Sequence, residues 1–390
     1  MEIEPPRSSF LNNELIHPGI ELLRNQIDFS KVPFSDRGSR MMVFLNKDEH
    51  RLDVKLAERL IHLNPDIEAY LHRPPLVKDF SLIDQDGKQI SFDQTISYPH
   101  AIFFSTGIGE LGITFAEEDA LAIGLPPNQI CGLKFYVPSH QSETNASGGM
   151  IKSYRDLSYV ANCEILINRI VPDKQGCWVS LVMRTSQDRT VILKIVDKFS
   201  KDIHLLPFSR LCEDSKERWE NWFKSVPPVK SGLANKYAYA WWVMANNLVS
   251  PRGNVSYESM MPAKGKYVGM WLWDNAMHAL AYRHIDVELA RNQIKVILGN
   301  QLPNGMLPDA IYDQGVVAEI NHPIRAEVTK PPILAWSALK IHEIKPDLHF
   351  LEEIYPSLVR WNAWWFEHND EDRDGIIQYL SLIHISEPTR

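Results

Sequence analysis

The residues best suited to chemistry lie in Trp271-Leu-Trp-Asp-Asn275. Two indoles one residue apart, followed at once by a carboxylate and an amide, set flat apolar faces beside groups that accept and donate paired hydrogen bonds. A pyranose ring offers the complement, with a C–H face that stacks on indole and a rim of hydroxyls for a carboxylate to grip. The stretch therefore reads either as the floor of a saccharide pocket or as ordinary core, with Asp274 as the N-cap of the helix behind it. Two loops further on carry more such groups. Asn300-Gln-Leu-Pro-Asn-Gly-Met-Leu-Pro-Asp309 offers Gln301 and Asp309, and Glu327-Val-Thr-Lys-Pro-Pro-Ile333 places Lys330 ahead of a helix that opens on proline.

Two other clusters are candidates with weaker chemistry. Asn369-Asp-Glu-Asp-Arg-Asp-Gly375 sets Asp370, Asp372 and Asp374 at alternate positions before a glycine, the first half of a calcium-binding loop. The late acidic ligand is missing, since position 381 is Ser. The expectation is therefore no cofactor, with Ca2+ on these three aspartates as the single metal candidate, set against a solvated acidic turn. Pro33-Phe-Ser-Asp-Arg-Gly-Ser-Arg40 carries Arg37 and Arg40 around a glycine, either a loop that reaches an anionic or hydroxyl-rich ligand or an Arg–Asp surface turn.

The elements that must position these groups divide the chain. Residues 1–205 read as an antiparallel β-sandwich, because many short runs rich in β-branched residues follow one another with Gly, Pro, Asn and Asp between them and no helices intervening. Asp86-Gly87 within Phe80–Phe92 is a hairpin turn, and Asp53–His62 is the exception, with apolar residues at helical spacing. Residues 206–228 form a linker helix over Glu213–Lys224, with Trp219, Trp222 and Phe223 on one face and Pro227-Pro228 as its end. Over 229–379 the period is helical throughout, and helices are expected at Gly232–Leu248, Trp271–Arg283, Asp286–Gly299, Pro331–His342 and Leu351–Glu367, with no strand between them.

Composition narrows the classes of partner. A formal charge of −8 and the lack of a basic stripe argue against nucleic acid. No apolar run approaches the roughly 20 residues of a membrane span, and the amino terminus has no signal-peptide core. Cys131, Cys163, Cys177 and Cys212 are scattered without a CxxC pair, which fits reduced thiols in a cytoplasmic protein. Eleven Trp residues are the outlier, and aromatics are enriched where binding needs large rigid surfaces.

Four motifs then occur in order: Trp271-Leu-Trp-Asp-Asn275, Gln301-Leu-Pro-Asn-Gly-Met-Leu-Pro-Asp309, Thr329-Lys-Pro-Pro332, and Tyr355-Pro-Ser-Leu-Val-Arg-Trp-Asn-Ala-Trp-Trp365 leading to the Asp-rich turn. Together they resemble the glycoside hydrolases of family 63 and their relatives, the mannosylglycerate and glucosylglycerate hydrolases and the trehalases. The resemblance implies an (α/α)6 barrel behind the β-sandwich and hydrolysis of an α-glycoside with inversion, by one carboxylic acid and one carboxylate. It implies that Trp271 and Trp273 wall the sugar, that Asp274 and Gln301 bind hydroxyls, and that Asp309 extends that network. Where the family usually has Gln, this chain has Lys330, a cation suited to a substrate carboxylate or a neutral replacement in a loop. The resemblance places the proton donor in a Ser-Gly-x-Asp motif after the Asp-rich turn, so the catalytic acid and base are expected beyond Tyr379. Residues 380–390 resemble a translated sequencing adapter, which makes the chain an expected amino-terminal portion of a longer enzyme. The rival class is a non-catalytic carbohydrate-binding or scaffold protein.

Overall fold

The computed structural model describes residues 10, 16–58, 74–187, 189–196, 205–320 and 325–378. They form two compact units, one of residues 1–56, 74–224 and 229–243, the other of residues 57–73, 225–228 and 244–390.

The first unit is built on strands. After a single helical turn, α1 (Pro18–Glu21), come β1 (Met41–Asn46), β2 (Arg51–Leu56), β3 (Val77–Asp84), β4 (Gln89–Ile90), β5 (Phe92–Ser97), β6 (Ala101–Thr106), β7 (Gly109–Glu117) and β8 (Ala120–Gly124). They are followed by β9 (Ile130–Val137), β10 (Gln141–Asn145), β11 (Gly148–Lys152), β12 (Asp156–Ala161), β13 (Glu164–Asp173), β14 (Gly176–Arg184) and β15 (Thr190–Val196). One antiparallel sheet runs β1-β2-β3-β9-β14-β13 with β4 paired to β3, and the other runs β10-β11-β12-β15-β8-β7-β6-β5. Phe80, Phe103, Phe104, Phe115, Phe135 and Tyr159 are buried among them. The sandwich read from the apolar runs is thus present, and Gly87 takes φ 81° in the β3–β4 turn, where Leu82 pairs with Ile90. Asp53–Leu56 is strand rather than helix. Leu52 pairs with Leu45 and Val54 with Val43, and this sheet pairing overrides a local helical spacing. Residues 59–62 of that expected helix lie outside the described residues.

The loop 33–40 lies mostly inside the unit rather than on its surface, with Arg37 exposed. Ser35, Asp36, Ser39 and Arg40 are all buried. Asp36 Oδ2 accepts from Arg218 Nη2 at 2.8 Å, the Arg40 backbone N–H donates to Asp119 Oδ1 at 3.1 Å, and the Arg37 guanidinium lies 5.3 Å above the Trp222 ring. Its polar residues serve the inside of the unit.

The expected linker helix is α2 (Phe208–Ser225), and it packs within the first unit. Phe208, Leu211, Trp219, Trp222 and Phe223 are buried along one face, as their spacing requires. Its seat is made by what two strands leave out. Gly112 of β7 is the direct partner of Gly124 of β8. A Cβ on Gly112 would stand 2.6 Å from the Phe208 ring, and one on Gly124 would stand 2.4 Å from it. Both glycines are needed for lack of bulk.

The second unit is mainly helical, with α3 (Ala234–Asn246) running into it along the chain and α4 (Leu272–Tyr282), α5 (Val287–Leu298), α6 (Leu334–Ile344) and α7 (Leu348–His368) within it. The five expected helices are all present, shifted by a few residues at their ends. Asp286 and Asp347 cap α5 and α7 by accepting from Leu289 N–H and Phe350 N–H at 3.1 Å each. The expectation of no strands fails. Short pairings join the connections: β16 (Leu248–Val249) with β17 (Ser259–Met260), β18 (Met270–Trp271) with β19 (Ala310–Tyr312) and β20 (Gly315–Val317), and β21 (Glu319–Ile320) with β22 (Ala326–Glu327). Pieces of two or three residues have no period to read.

Among the described residues no helix is long and apolar enough to cross a membrane. Cys131, Cys163, Cys177 and Cys212 are all free thiols.

Two consequences can be measured. Gly124→Ala should lower the stability of the first unit by about 1 to 3 kcal/mol through overpacking against Phe208. Gly107→Ala, where a Cβ meets nothing within 4 Å, should shift it by less than about 0.5 kcal/mol. Equal denaturant midpoints for the two variants would dismiss the seat. His100 supplies the second. It is fully buried against Tyr98, and burial, aided by the Lys216 and Arg218 charges, lowers its imidazole from 6.5 to about 3. The unfolded chain takes up that proton near 6.5 and the folded one does not, so stability falls as pH drops through this window, by about 1.4 kcal/mol per pH unit. His100→Leu should flatten the pH dependence of the first unit's unfolding midpoint between pH 6.5 and 4, and an unchanged slope would acquit His100.

Candidate functional site

The site begins with a strand pairing. Trp271 lies opposite Ala310 and Met270 opposite Ile311. Beside this ladder the Leu272 backbone N–H donates to the Asp309 carbonyl at 3.1 Å, and the Asp309 N–H donates to the Val317 carbonyl at 2.7 Å. Asp309 is therefore fixed at the head of β19, next to the residues that open α4.

The helix α4 starts directly after Trp271, which holds the N-cap position in extended geometry (φ −85°, ψ 128°) without a side-chain cap. Asp274 is thus not the N-cap. It stands in the first turn, where the unpaired N–H groups of the helix end favour a carboxylate.

Lys330 arrives from the other loop. Val328 N–H donates to the Ala318 carbonyl at 2.8 Å, and Thr329 Oγ1 donates to the Leu307 carbonyl at 2.7 Å, which ties the segment to the loop that carries Asp309. The Lys330 ammonium then lies 2.8 Å from Asp309 Oδ1, 5.3 Å from the Trp271 ring and 5.8 Å from the Trp273 ring. Trp271, Trp273, Asp309 and Lys330 therefore meet around one nitrogen. Asp274 is near enough for the Lys330 charge to act on it and for its own charge to act on Asp309.

Exposure grades across this cluster. Asp309 is 1% exposed, Trp271 and Asp274 are half-buried, and Trp273 is 41% exposed. Tyr267, well exposed, sets its ring edge-on to Trp271 at 6.2 Å. Burial raises the Asp274 carboxyl above its ordinary range, against the pull of its own backbone N–H and of Lys330. Burial raises Asp309 as well, opposed by Lys330 and reinforced by the neighbouring Asp274 charge. The ion pair is not aligned as a hydrogen bond, and neither buried oxygen of Asp309 has a hydrogen-bond partner among the described residues. Such an arrangement offers stacking faces beside carboxylate oxygens that can accept from hydroxyls.

Gln301 does not join it. Its side-chain NH2 donates to the Gly305 and Ser357 carbonyls, both at 2.8 Å, and its carbonyl accepts from Arg360 Nη2. With its amide engaged on both sides it latches the 300–309 loop on α7. Gly305 fits this contact, at φ 95° with the Arg360 carbonyl 2.8 Å from where a Cβ would be.

Sequence reasoning passed over Gln293 as the partner of Asn275; both are fully buried. Gln293 Oε1 accepts from Asn275 Nδ2 at 3.3 Å and from the Met260 N–H at 2.9 Å, while its amide donates to the Leu289 carbonyl at 3.0 Å. This ties the first turn of α4 to α5 and β17. The readable signal was an amide on the apolar face of α5, one turn after Leu289 and one before Ile297. His278, one turn past Asp274, is half-buried, and desolvation lowers its imidazole to about 4.

Asp370, Asp372 and Asp374 bring ligand oxygens within 4.8 Å of one another. Asp370 already accepts from the Gly375 N–H at 3.0 Å and Asp374 from the Ile376 N–H at 2.7 Å. Three carboxylates give fewer ligands than the six to eight oxygens that calcium takes, so the described residues fit such an ion only in part.

Known proteins resemble this part of the chain. Residues 267–382 match the family described as the mannosylglycerate hydrolase MGH1-like glycoside hydrolase domain, a span that contains every residue of the cluster. Mannosylglycerate hydrolase of Thermus thermophilus is 27% identical over 134 residues, which cover 30% of this chain and 32% of that enzyme. Glucosylglycerate hydrolase of Mycolicibacterium hassiacum is 26% identical, over 32% of this chain and 34% of the enzyme. The chain thus matches about a third of the length of these curated relatives, and the resemblance read from the motifs holds over that part. In fold, the chain is similar to a human-microbiome protein provisionally named a kojibiose phosphorylase, with a TM-score of 0.61 at 11% identity, over 90% of this chain and 61% of that one.

The latch makes a prediction of its own. Gln301→Ala should expose the Leu302 and Gly305 amides to faster hydrogen exchange and cost about 1 kcal/mol, because two part-buried carbonyls lose a donor. Exchange at those amides equal to that of the parent protein would rule the latch out.

Proposed function

We propose that the protein carrying this chain is a glycosidase that hydrolyses the α-glycosidic bond of a small glycoside, with inversion, on an (α/α)6 barrel to which the helices of the second unit belong. The observation that carries the reading is the convergence of Trp271, Trp273, Asp274 and Asp309 around the Lys330 ammonium. The family match over residues 267–382 and the names of the curated relatives support it. Trp271 and Trp273 wall the sugar, Asp274 accepts its hydroxyls, and Asp309 supports that network from behind. Asp274 is assigned as a ligand of the reacting sugar, and the proton donor and the water-activating carboxylate are assigned beyond Tyr379. Glycosyl glycerates are the first substrates to try, since the relatives are named for them.

In the intact protein, release of free sugar from mannosylglycerate and glucosylglycerate should be seen without phosphate, with the anomer inverted. Formation of a sugar 1-phosphate and free glycerate, only with added phosphate, would make the reaction phosphorolysis. Asp274→Ala should reduce kcat/KM by roughly 10- to 100-fold, with kcat falling as well, because a hydrogen bond to a charged group is lost in the transition state as well as the ground state. Unaltered kinetics in that variant would remove Asp274 from the site.

A further inference from the structure

Lys330 offers a choice that its position in the sequence left open: a receptor for a carboxylate on the ligand, or part of the wall. Its ammonium is 2.8 Å from Asp309 Oδ1, its side chain is only 10% exposed, and two indole rings lie 5.3 and 5.8 Å from it. An ammonium has three donors and no acceptor, so a carboxylate on one side and aromatic faces on two others occupy most of the directions from which an anion can approach. The local charge count points the same way. Two carboxylates, Asp274 on α4 and Asp309 at the head of β19, share one cation. An anionic ligand entering here meets a surplus of negative charge. Of the other titratable groups on α4 and beside β19, His278 is half-buried and neutral near pH 7, and Asp313 follows the far end of β19, where its carbonyl accepts from the Asn254 N–H.

We propose that Lys330 is a positioning residue that holds and neutralises the buried Asp309, leaving the half-buried Asp274 carboxylate to meet the hydroxyls of a neutral sugar ring, and that Lys330 does not receive a carboxylate of the ligand. The proposal rests on the saccharide reading above. Without the ammonium, Asp309 is a buried carboxylate beside another carboxylate, and it leaves its ionised form. The amide of Lys330→Gln donates a hydrogen bond and brings no charge, so it does not replace this function, whereas the guanidinium of Lys330→Arg keeps the charge and with it the function. A glycerate moiety, if the substrate has one, is held by groups outside this cluster.

The test uses the whole chain with 13C-labelled aspartate carboxyls, as wild type, Lys330→Gln and Lys330→Arg. The Asp309 titration midpoint should rise by about 1 to 3 pH units in Lys330→Gln and stay near the wild-type value in Lys330→Arg, because an opposite charge at this distance is removed in one and kept in the other. Methyl α-D-mannopyranoside should shift the Asp274 carboxyl signal of the wild type, and D-glycerate should shift neither that signal nor the Asp309 signal. An unmoved midpoint in Lys330→Gln overturns the proposal. So does a saturable glycerate shift at Asp309 in the wild type, a measurement that needs no variant to fold. A midpoint that moves as expected while no glycoside shifts either signal sinks the saccharide reading and leaves the positioning role of Lys330 standing.

Discussion

The pairing of Met270-Trp271 with Ala310-Ile311 is the constraint from which the cluster follows. It is a ladder two residues long, and such a ladder is stable only because its neighbours immobilise both sides. On one side α4 starts immediately and is tied to α5 through Asn275 and Gln293. On the other, the 300–309 loop is fastened to α7 by Gln301. Backbone bonds from Leu272 and to Val317 then leave Asp309 one position. A carboxylate buried this deeply in a loop would swing away from its apolar surroundings if its backbone were free to do so.

The ion pair between Lys330 and Asp309 has the opposite character. Burying two charges costs several kcal/mol for each, and their attraction repays that cost only with good geometry and further hydrogen bonds. Here the geometry is close, yet the hydrogen bonds of Asp309 are incomplete. A pair that is costly and incompletely satisfied is poor as a stabilising device. Its effect is electrostatic, the ammonium opposing the rise that burial and the Asp274 charge impose on the Asp309 carboxyl. The indoles beside the ammonium add cation–π attraction of about 0.5 to 2 kcal/mol and keep water from its flanks.

In the first unit the same trade between bulk and polarity is resolved differently. Two cross-strand glycines, Gly112 and Gly124, make room for one ring, Phe208. Polar residues of the 33–40 loop and of α2 then pair inside the unit, with Asp36 and Arg218 the clearest case. Arg37 spends its charge on the Trp222 face. None of these groups offers an open hydrogen-bonding rim beside a stacking surface, in contrast to the cluster around Lys330.

Periodicity and turn chemistry determined what is local. The alternating runs of the sandwich, the Asp86-Gly87 hairpin, the apolar face of α2, and the helices capped by Asp286 and Asp347 follow from residues within a few positions of one another. The Trp271–Asp274 chemistry was legible for the same reason, since its groups are adjacent in the chain. What the tertiary structure alone decided depends on partners far apart in sequence. Strand pairing with β1 turned Asp53–Leu56 from helix to strand, and burial made the 33–40 loop part of a core. Gln301 and Asp309 stood in one loop with equal claim to a ligand, and tertiary structure engaged the amide with α7 and paired the acid with Lys330. Lys330 differed from its resembled family by a charge whose meaning no spacing could supply. Its role was set by Asp309, in the preceding loop, through a separation of 2.8 Å that exists only once both loops have closed on β18 and α4.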